Sequence, residues 1–135
     1  MLKRFDIATQ RQGMYNITGQ IQSVVTAGGV KSGLCVVHCP HTTAGITINE
    51  NADPDVQEDF LLGMEGAFPH RNEFRHTEGN STAHLKSSSV GPSQTLIIDG
   101  GRLLLGRWQG IYFCEFDGPR QRQFHVKVMA DRPTP

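Results

Sequence analysis

Histidine residues cluster in the middle of the chain. Five of the six lie between residues 38 and 84, at His38, His41, His70, His76 and His84. Neutral imidazole binds divalent zinc, copper, iron and nickel, and nearby acids could complete a mixed nitrogen and oxygen site, namely Glu50, Asp53, Asp55 and Glu78. The sequence has no His-Glu-x-x-His motif and no paired Cys-x-x-Cys motif. The pattern therefore leaves open whether these imidazoles bind a metal ion or donate to loop carbonyl groups.

The local pattern around each histidine separates structural from functional candidates. His38 alternates with Val37 inside a strand-like run, which favours a structural role. His41 lies at a break between two such runs, next to small and hydroxyl-bearing residues that would let a ligand approach the backbone. His84 falls in the first turns of a short predicted helix, where free backbone N–H groups suit an anion such as phosphate. We therefore expect functional roles for His41 and His84.

A group of two acids followed by two arginines lies toward the C-terminus. Strand alternation puts Glu115 and Asp117 on one face, and Arg120 and Arg122 follow. This group could hold a cation or bind a polar substrate. It could equally be a sheet face that is open to water, and the pattern does not decide between these readings.

Most of the elements that must position these residues are predicted to be strands. Six runs have the apolar character or alternation of strands, at residues 3–9, 33–39, 44–48, 94–98, 111–116 and 123–129. Helices are expected to begin at Thr18, at Asp53-Pro54, and at Asn80 or Ser81, with a long loop over 69–78. No helix separates the last three strands, which excludes a doubly wound parallel sheet. The sequence predicts a mainly β or α+β fold, sandwich-like, with two or three short helices.

Length and composition limit the classes of function. A chain of 135 residues predicts a single domain over 1–135. Thirteen basic residues balance thirteen acidic ones, so no long-range field attracts nucleic acid or an anionic membrane, and any anion site must be local. No apolar run approaches the ~20 residues of a membrane span, and the N-terminus lacks a secretory pattern. We expect a cytoplasmic protein with reduced cysteines.

Several motifs in order resemble one protein family. They are His41-Thr42-Thr43-Ala44-Gly45, Asn49-Glu50-Asn51-Ala52-Asp53-Pro54-Asp55-Val56, His76, Glu78-Gly79-Asn80, Ala83-His84-Leu85-Lys86, Gly91-Pro92-Ser93 and Gly106-Arg107-Trp108-Gln109-Gly110-Ile111-Tyr112. Together they resemble the YjbQ family, also called secondary thiamine-phosphate synthase. The resemblance implies a sandwich-like α/β subunit in a homotrimer, with histidines near a subunit boundary. It also implies a weak activity that joins an aminopyrimidine diphosphate to a thiazole phosphate with loss of pyrophosphate.

The resemblance also implies site residues, carried over position by position. Catalytic roles fall on His41, Glu50, Asp53, His84 and Arg120. Contacts to a small phosphorylated metabolite fall on Asn51, Asn80, Trp108, Gln109 and Asp117. From their chemistry we further predict that His41, His76 and His84 bind a divalent metal, zinc or magnesium, or a phosphate group, with Glu115 as an additional metal ligand. His38 and His70 lie outside the motifs and carry no such role.

Two other functions fit the same residues. A metal-dependent hydrolase of a phosphorylated small molecule would use the cluster to activate water. A non-catalytic trimeric protein would use it to hold a ligand or an ion. The two enzymatic functions both require that His41, His76 and His84, which are distant in the chain, converge in space.

Overall fold

The computed structural model describes residues 1–133 and contains eight strands and three helices. In chain order these are β1 (Leu2–Ala8), β2 (Gly13–Asn16), α1 (Thr18–Gly28), β3 (Ser32–His38), β4 (Ala44–Glu50), α2 (Pro54–Ala67), α3 (Ser81–Val90), β5 (Ser93–Asp99), β6 (Arg102–Leu103), β7 (Gln109–Glu115) and β8 (Gln121–Ala130). The predicted α+β class is confirmed. Each of the six predicted strand-like runs coincides with a strand.

The strands form two antiparallel sheets. The larger sheet has the order β1-β8-β3-β5-β6, and the smaller sheet has the order β2-β7-β4. One core cluster combines side chains of both sheets and of α1, among them Ile21, Val37, Ile46, Leu96, Phe113 and Phe124. The two sheets and α1 therefore share one apolar interior, whose burial is the main driving force for this fold.

Strand β7 is covered on both faces. Ile111 and Phe113 point into the main core, whereas Tyr112 and Cys114 belong to a second cluster. Phe60 and Met64 of α2 pack against that second cluster, together with residues of α3. Burial on both faces explains the continuous apolar run of β7, which lacks the alternation of a half-buried strand.

The helix ends follow local sequence signals. Asp53 caps α2, since its carboxylate accepts the N–H of Asp55 at 2.9 Å and Pro54 takes the first helical position. Helix α1 ends at Gly29, whose φ of 66° is a left-handed conformation that glycine adopts without strain. Within residues 1–133, no helix has the length and apolar character needed to cross a bilayer.

Two short strands were not predicted from the sequence. Strand β2 is four residues long and pairs with β7, and β6 is two residues long and closes a hairpin with β5 after a Gly100-Gly101 turn. Both segments are too short to show a periodic pattern. Pairing with long neighbouring strands, and not local propensity, fixes their conformation.

All three cysteines are buried thiols. Cys35 and Cys39 lie in the main core and Cys114 lies in the second cluster. Burial raises the pKa of Cys35 and of Cys39 to about 11, and that of Cys114 to about 12. The thiols are therefore protonated at neutral pH and act as small apolar groups.

Candidate functional site

A polar cleft of about 290 Å³ lies where three connecting segments meet. The segments are the β3–β4 loop, the start of α3 and the β7–β8 turn. The cleft is lined by Pro40, His41, Thr42, Thr43, Glu78, Asn80, His84, Arg120 and Arg122. Positive and hydrogen-bonding side chains thus converge at one end of the smaller sheet, where β4 and β7 pair Ala44 with Glu115.

The three histidines on which the sequence-based hypothesis depends are brought together. His41 and His84 line the same cleft, and they also line an adjoining pocket with Ser87 and Ser88. The ring of His76 contacts the ring of His84 edge to face, with 5.2 Å between the centroids. His84 reaches the cleft because it is the fourth residue of α3, in the turn nearest the β7–β8 segment.

The protonation state of His41 is set by its neighbours. Its Nε2 accepts the backbone N–H of Gln123 at 2.9 Å, which places the ring proton of the neutral form on Nδ1. Burial lowers the pKa of His41 below its usual range, and the positive charge of Arg122 lowers it further. His41 is therefore a neutral imidazole at pH 7, with Nδ1–H left as its hydrogen-bond donor.

Glu115 and Arg122 form a buried ion pair beneath the cleft. Nε of Arg122 donates to Oε1 at 2.8 Å and Nη2 donates to Oε2 at 2.6 Å, with both side chains almost fully buried. Thr9 and the backbone N–H of Asp117 also donate to this carboxylate. Burial by itself would raise the pKa of Glu115, but these four donors outweigh it and hold the pKa below its ordinary value.

Asp117 joins the β7–β8 turn to the start of α3. Its Oδ2 accepts Nδ2 of Asn80 at 2.7 Å and Nη2 of Arg120 at 2.8 Å. These hydrogen bonds outweigh burial and lower the pKa of Asp117. Because Asn80 is directed toward Asp117, it makes no side-chain cap at the N-terminus of α3. The first backbone N–H groups of α3 thus remain without a side-chain partner at the edge of the cleft.

The amide oxygen of Asn80 is a buried acceptor that lacks a donor. It is the one buried side-chain nitrogen or oxygen in residues 1–133 without a hydrogen-bond partner. Such a group costs roughly 1–3 kcal/mol, and native proteins tolerate it chiefly at sites of special function. Asn80 therefore stands out as a constrained residue within the cleft.

The remaining predicted site residues form a separate group at the opposite end of β4 and β7. Glu50 pairs with Gln109, and Asn51 donates its backbone N–H to the carbonyl of Trp108 at 2.8 Å. Asp53 caps α2 beside them. The six residue steps from Ala44 to Glu50 span about 20 Å along the strand. One chain therefore does not combine this group with the His41–His84 cleft.

Within this second group, several side chains have structural partners. Nδ2 of Asn51 donates to the carbonyl of Gln109 at 3.2 Å, and Oε1 of Gln109 accepts the N–H of Gly106 at 2.7 Å. The Trp108 ring is half exposed and lies under the guanidinium of Arg107 at 4.8 Å. Trp108 consequently presents an aromatic surface on the outside of the subunit.

The predicted metal ligands do not assemble into one coordination group. Both oxygens of Glu115 are occupied by the ion pair, and Nε2 of His41 is occupied by the Gln123 N–H. Only His76 and His84 remain as adjacent imidazoles. Across the described part of the chain, no three His, Cys, Asp or Glu side chains are placed to hold a metal ion. The donor set of one subunit does not fit zinc or magnesium, and metal binding stays a prediction.

Two residues of the quoted motifs, Gly45 and Lys86, have structural roles near the site. Gly45 is small because α3 packs on β4, and an added Cβ would lie 2.7 Å from the carbonyl oxygen of Gly91. Lys86 is buried, and its ammonium donates to Glu65 at 2.6 Å and to Gln12 at 3.3 Å. Gly45 thus serves helix packing, and Lys86 ties α3 to α2.

Arg122 is the main cleft residue that the predicted set of site residues leaves out. The sequence placed it in a group that could hold a cation, bind a polar substrate or face water, and the structure places it in the cleft lining. Its position carried a signal, because Arg122, Phe124, Val126 and Val128 alternate along β8 and all are buried. A charged residue at an inward-facing position predicts a buried partner, which here is Glu115.

Comparison with known proteins gives a consistent result over almost the whole chain. The family described as UPF0047 protein YjbQ-like matches residues 3–131. UPF0047 protein YugU of Bacillus subtilis is 53% identical over 132 residues, which cover 96% of this chain and 100% of the relative. A UPF0047 protein of Methanocaldococcus jannaschii is 52% identical over 133 residues, which cover 98% of this chain and 96% of the relative.

Solved structures show the same fold. A YjbQ/UPF0047 protein of Clostridium acetobutylicum superposes with a TM-score of 0.92 at 50% identity, covering 94% of this chain and 99% of that protein. A protein of Sulfolobus solfataricus, described as of unknown function, gives a TM-score of 0.92 at 28% identity, with 97% of each chain covered.

Proposed function

Since the chain belongs to the UPF0047 YjbQ-like family, we propose that its His41–His84 cleft has thiamine-phosphate synthase activity. In this reaction the ring nitrogen of a thiazole phosphate forms a bond to the methylene carbon of an aminopyrimidine diphosphate. The carbon–oxygen bond to the diphosphate breaks, and pyrophosphate leaves with that electron pair. The difficult step is charge separation, because negative charge develops on the departing oxygen.

The observation that carries the proposal is the concentration of positive donors in one small cleft. Arg120, Arg122 and the uncapped N-terminus of α3 all border it. Preorganised donors of this kind stabilise charge that develops on a leaving group. The net charge of the chain is zero, so the cleft is a local anion site and not part of a broadly basic surface.

The side chains at the rim have roles that follow from their contacts. His84 lies next to His76 and can give a proton to the departing pyrophosphate oxygen. Neutral His41 offers Nδ1–H as a donor that its Gln123 contact keeps in one tautomer. Arg120 is oriented by its two contacts to Asp117, one to the carboxylate and one to the carbonyl, both at 2.8 Å. No step in this scheme depends on a metal ion.

A homotrimer would unite the two separated groups of site residues. The group with Glu50, Trp108 and Gln109 lies about 20 Å from the cleft in one chain, so a neighbouring copy must supply it if both act together. The larger sheet also carries a row of exposed apolar side chains on three neighbouring strands, where Leu34 pairs with both Ile97 and Met129. An exposed apolar stripe of this kind is typical of a protein interface.

Subunit mixing tests the shared site. Equal amounts of His84→Ala and Trp108→Ala subunits, exchanged into mixed trimers, should recover about a quarter of wild-type activity, because each half-site is intact in one subunit type. Light scattering should give a mass of three 14.9 kDa chains. Activity no higher than the mean of the two parent variants would show that the halves act within one chain or not at all.

Product analysis with three substrate mixtures tests the reaction. Wild-type protein should release pyrophosphate only when the aminopyrimidine diphosphate and the thiazole phosphate are both present, with thiamine phosphate formed in equal amount. Free pyrimidine alcohol formed without the thiazole would indicate a hydrolase instead. Binding of either substrate without turnover would indicate a ligand-binding protein, and either result would overturn the proposal.

A further inference from the structure

We infer that Arg122 binds a phosphate group of the ligand directly in the His41–His84 cleft. The inference rests on the proposed function and names the residue that takes the diphosphate end of the substrate. The sequence placed Arg122 only in a group that could bind a polar substrate and did not assign it a phosphate. In the structure, its side chain is only 6% exposed, yet the residue lines the cleft. A buried guanidinium that still reaches a cavity is a strong candidate for anion binding.

The guanidinium is held in one orientation by its other donors. Nε and Nη2 donate to the two oxygens of Glu115, and Nη2 also donates to Oγ1 of Thr43 at 2.8 Å. Within residues 1–133, Nη1 has no hydrogen-bond partner, and it is not among the buried atoms that lack one. Its N–H groups are therefore accessible and unused, on a side chain that cannot turn away from the cleft.

The surroundings of Nη1 favour an anionic ligand. Arg120 and the first turn of α3 border the same cleft. The carboxylates of Glu115 and Asp117 are paired with Arg122 and Arg120, and neither acid belongs to the cleft lining. Glu78 is the acid in the lining, and it lies at the exposed rim. Two guanidinium groups with their N–H donors thus border the cavity, whereas their carboxylate partners do not.

Fixing the guanidinium before the ligand arrives has a physical advantage. The entropy of ordering a long side chain is already lost on folding, so it does not oppose binding. The planar guanidinium also lets one edge of the group bind Glu115 while the other edge donates to phosphate oxygens. A lysine at this position would offer a single ammonium, which could serve Glu115 or the ligand but not both in this geometry.

Titration of Arg122→Lys with inorganic pyrophosphate tests the inference. Isothermal titration should show binding to the wild-type protein, and Arg122→Lys should raise Kd by about 10- to 100-fold, the loss expected for one or two charge-assisted hydrogen bonds. The matched control is Arg71→Lys, which changes an exposed arginine paired with Glu73 outside the cleft lining. The control should leave Kd unchanged.

Folding of the variant is measured in parallel, because Glu115 needs a cationic partner. If Arg122→Lys melts at the wild-type temperature and still binds pyrophosphate with unchanged Kd, the inference is wrong. If it fails to fold, crystals of the wild-type protein soaked with pyrophosphate decide the question. Nη1 of Arg122 should lie within hydrogen-bond distance of a phosphate oxygen, and a pyrophosphate bound elsewhere would overturn the inference.

The measurements distinguish a failure of this inference from a failure of the synthase proposal. Pyrophosphate binding that depends on Arg122, in a protein without synthase turnover, would support the phosphate site and reject the reaction. Normal synthase turnover in a folded Arg122→Lys variant would support the reaction and reject the phosphate site.

Discussion

His84→Ala should lower kcat/KM for thiamine phosphate formation by about 100-fold or more, the usual contribution of a positioned proton donor. The side chain borders the cleft and contacts His76, and it makes no hydrogen bond to other side chains or to the backbone within residues 1–133. Its removal therefore takes away a cleft group and its contact with the His76 ring without breaking a side-chain hydrogen bond. The melting temperature and the mass of the assembly in solution should stay close to those of the wild type.

The control for this variant is His70→Ala. His70 is exposed, packs edge to face on Phe74, and does not line the cleft. It should retain wild-type turnover. Full activity in His84→Ala, or an equal loss in both variants, would remove His84 from the proposed reaction.

Glu115→Ala should destabilise the protein by about 3–5 kcal/mol, since it leaves the buried guanidinium of Arg122 without its partner. The carboxylate is completely buried and accepts hydrogen bonds from Arg122, Thr9 and Asp117. The free energy of unfolding from urea denaturation measures the effect.

Two variants show whether the loss comes from an unpaired charge. The double variant Glu115→Leu/Arg122→Met replaces both charges by apolar groups and should recover most of the stability, because no buried charge remains. Glu73→Ala removes half of an exposed ion pair with Arg71 and should leave the free energy of unfolding almost unchanged, since solvent screens exposed pairs. A double variant as unstable as Glu115→Ala would contradict the ion-pair explanation.

The same ion pair predicts a pH dependence. The pKa of Glu115 in the folded protein lies below its ordinary value of 4.5. Its contribution to stability is therefore fully present above pH 4.5 and is lost as pH falls through the folded pKa. Urea denaturation at several pH values should show a weaker acid dependence in the double variant than in the wild type.

Sequence reasoning located the cleft histidines but not the groups beneath them. Cap and turn signals placed His84 at the start of α3 and His41 in a loop, and both line the cleft. For the acidic group at the end of β7, the sequence left open whether it holds a cation, binds a polar substrate or faces water. The structure shows Glu115 fully buried, with the guanidinium of Arg122 as its cation.

Other site residues could not be placed from the sequence. The resemblance joined Glu50, Asn51, Asp53, Trp108 and Gln109 to the histidines as one set. The pairing of β4 with β7 instead puts these two groups at opposite strand ends, with Ala44 beside Glu115 and Glu50 beside Gln109. Separation along a paired strand depends on register, which linear motifs do not encode.

The sequence by itself determined the six longer strands, the three helices, the α+β class, the helix ends at Asp53 and Gly29, and the family. These features depend on local periodicity, on capping and turn chemistry, and on motifs that are contiguous in the chain. The tertiary structure alone decided which side chains meet, because β7 and β8 bring Glu115 to Arg122, and β8 presents Gln123 to His41. The first contact spans the β7–β8 turn, and the second joins residues 82 positions apart. Hydrogen bonds made in the folded chain then fix the charge of Glu115 and the tautomer of His41.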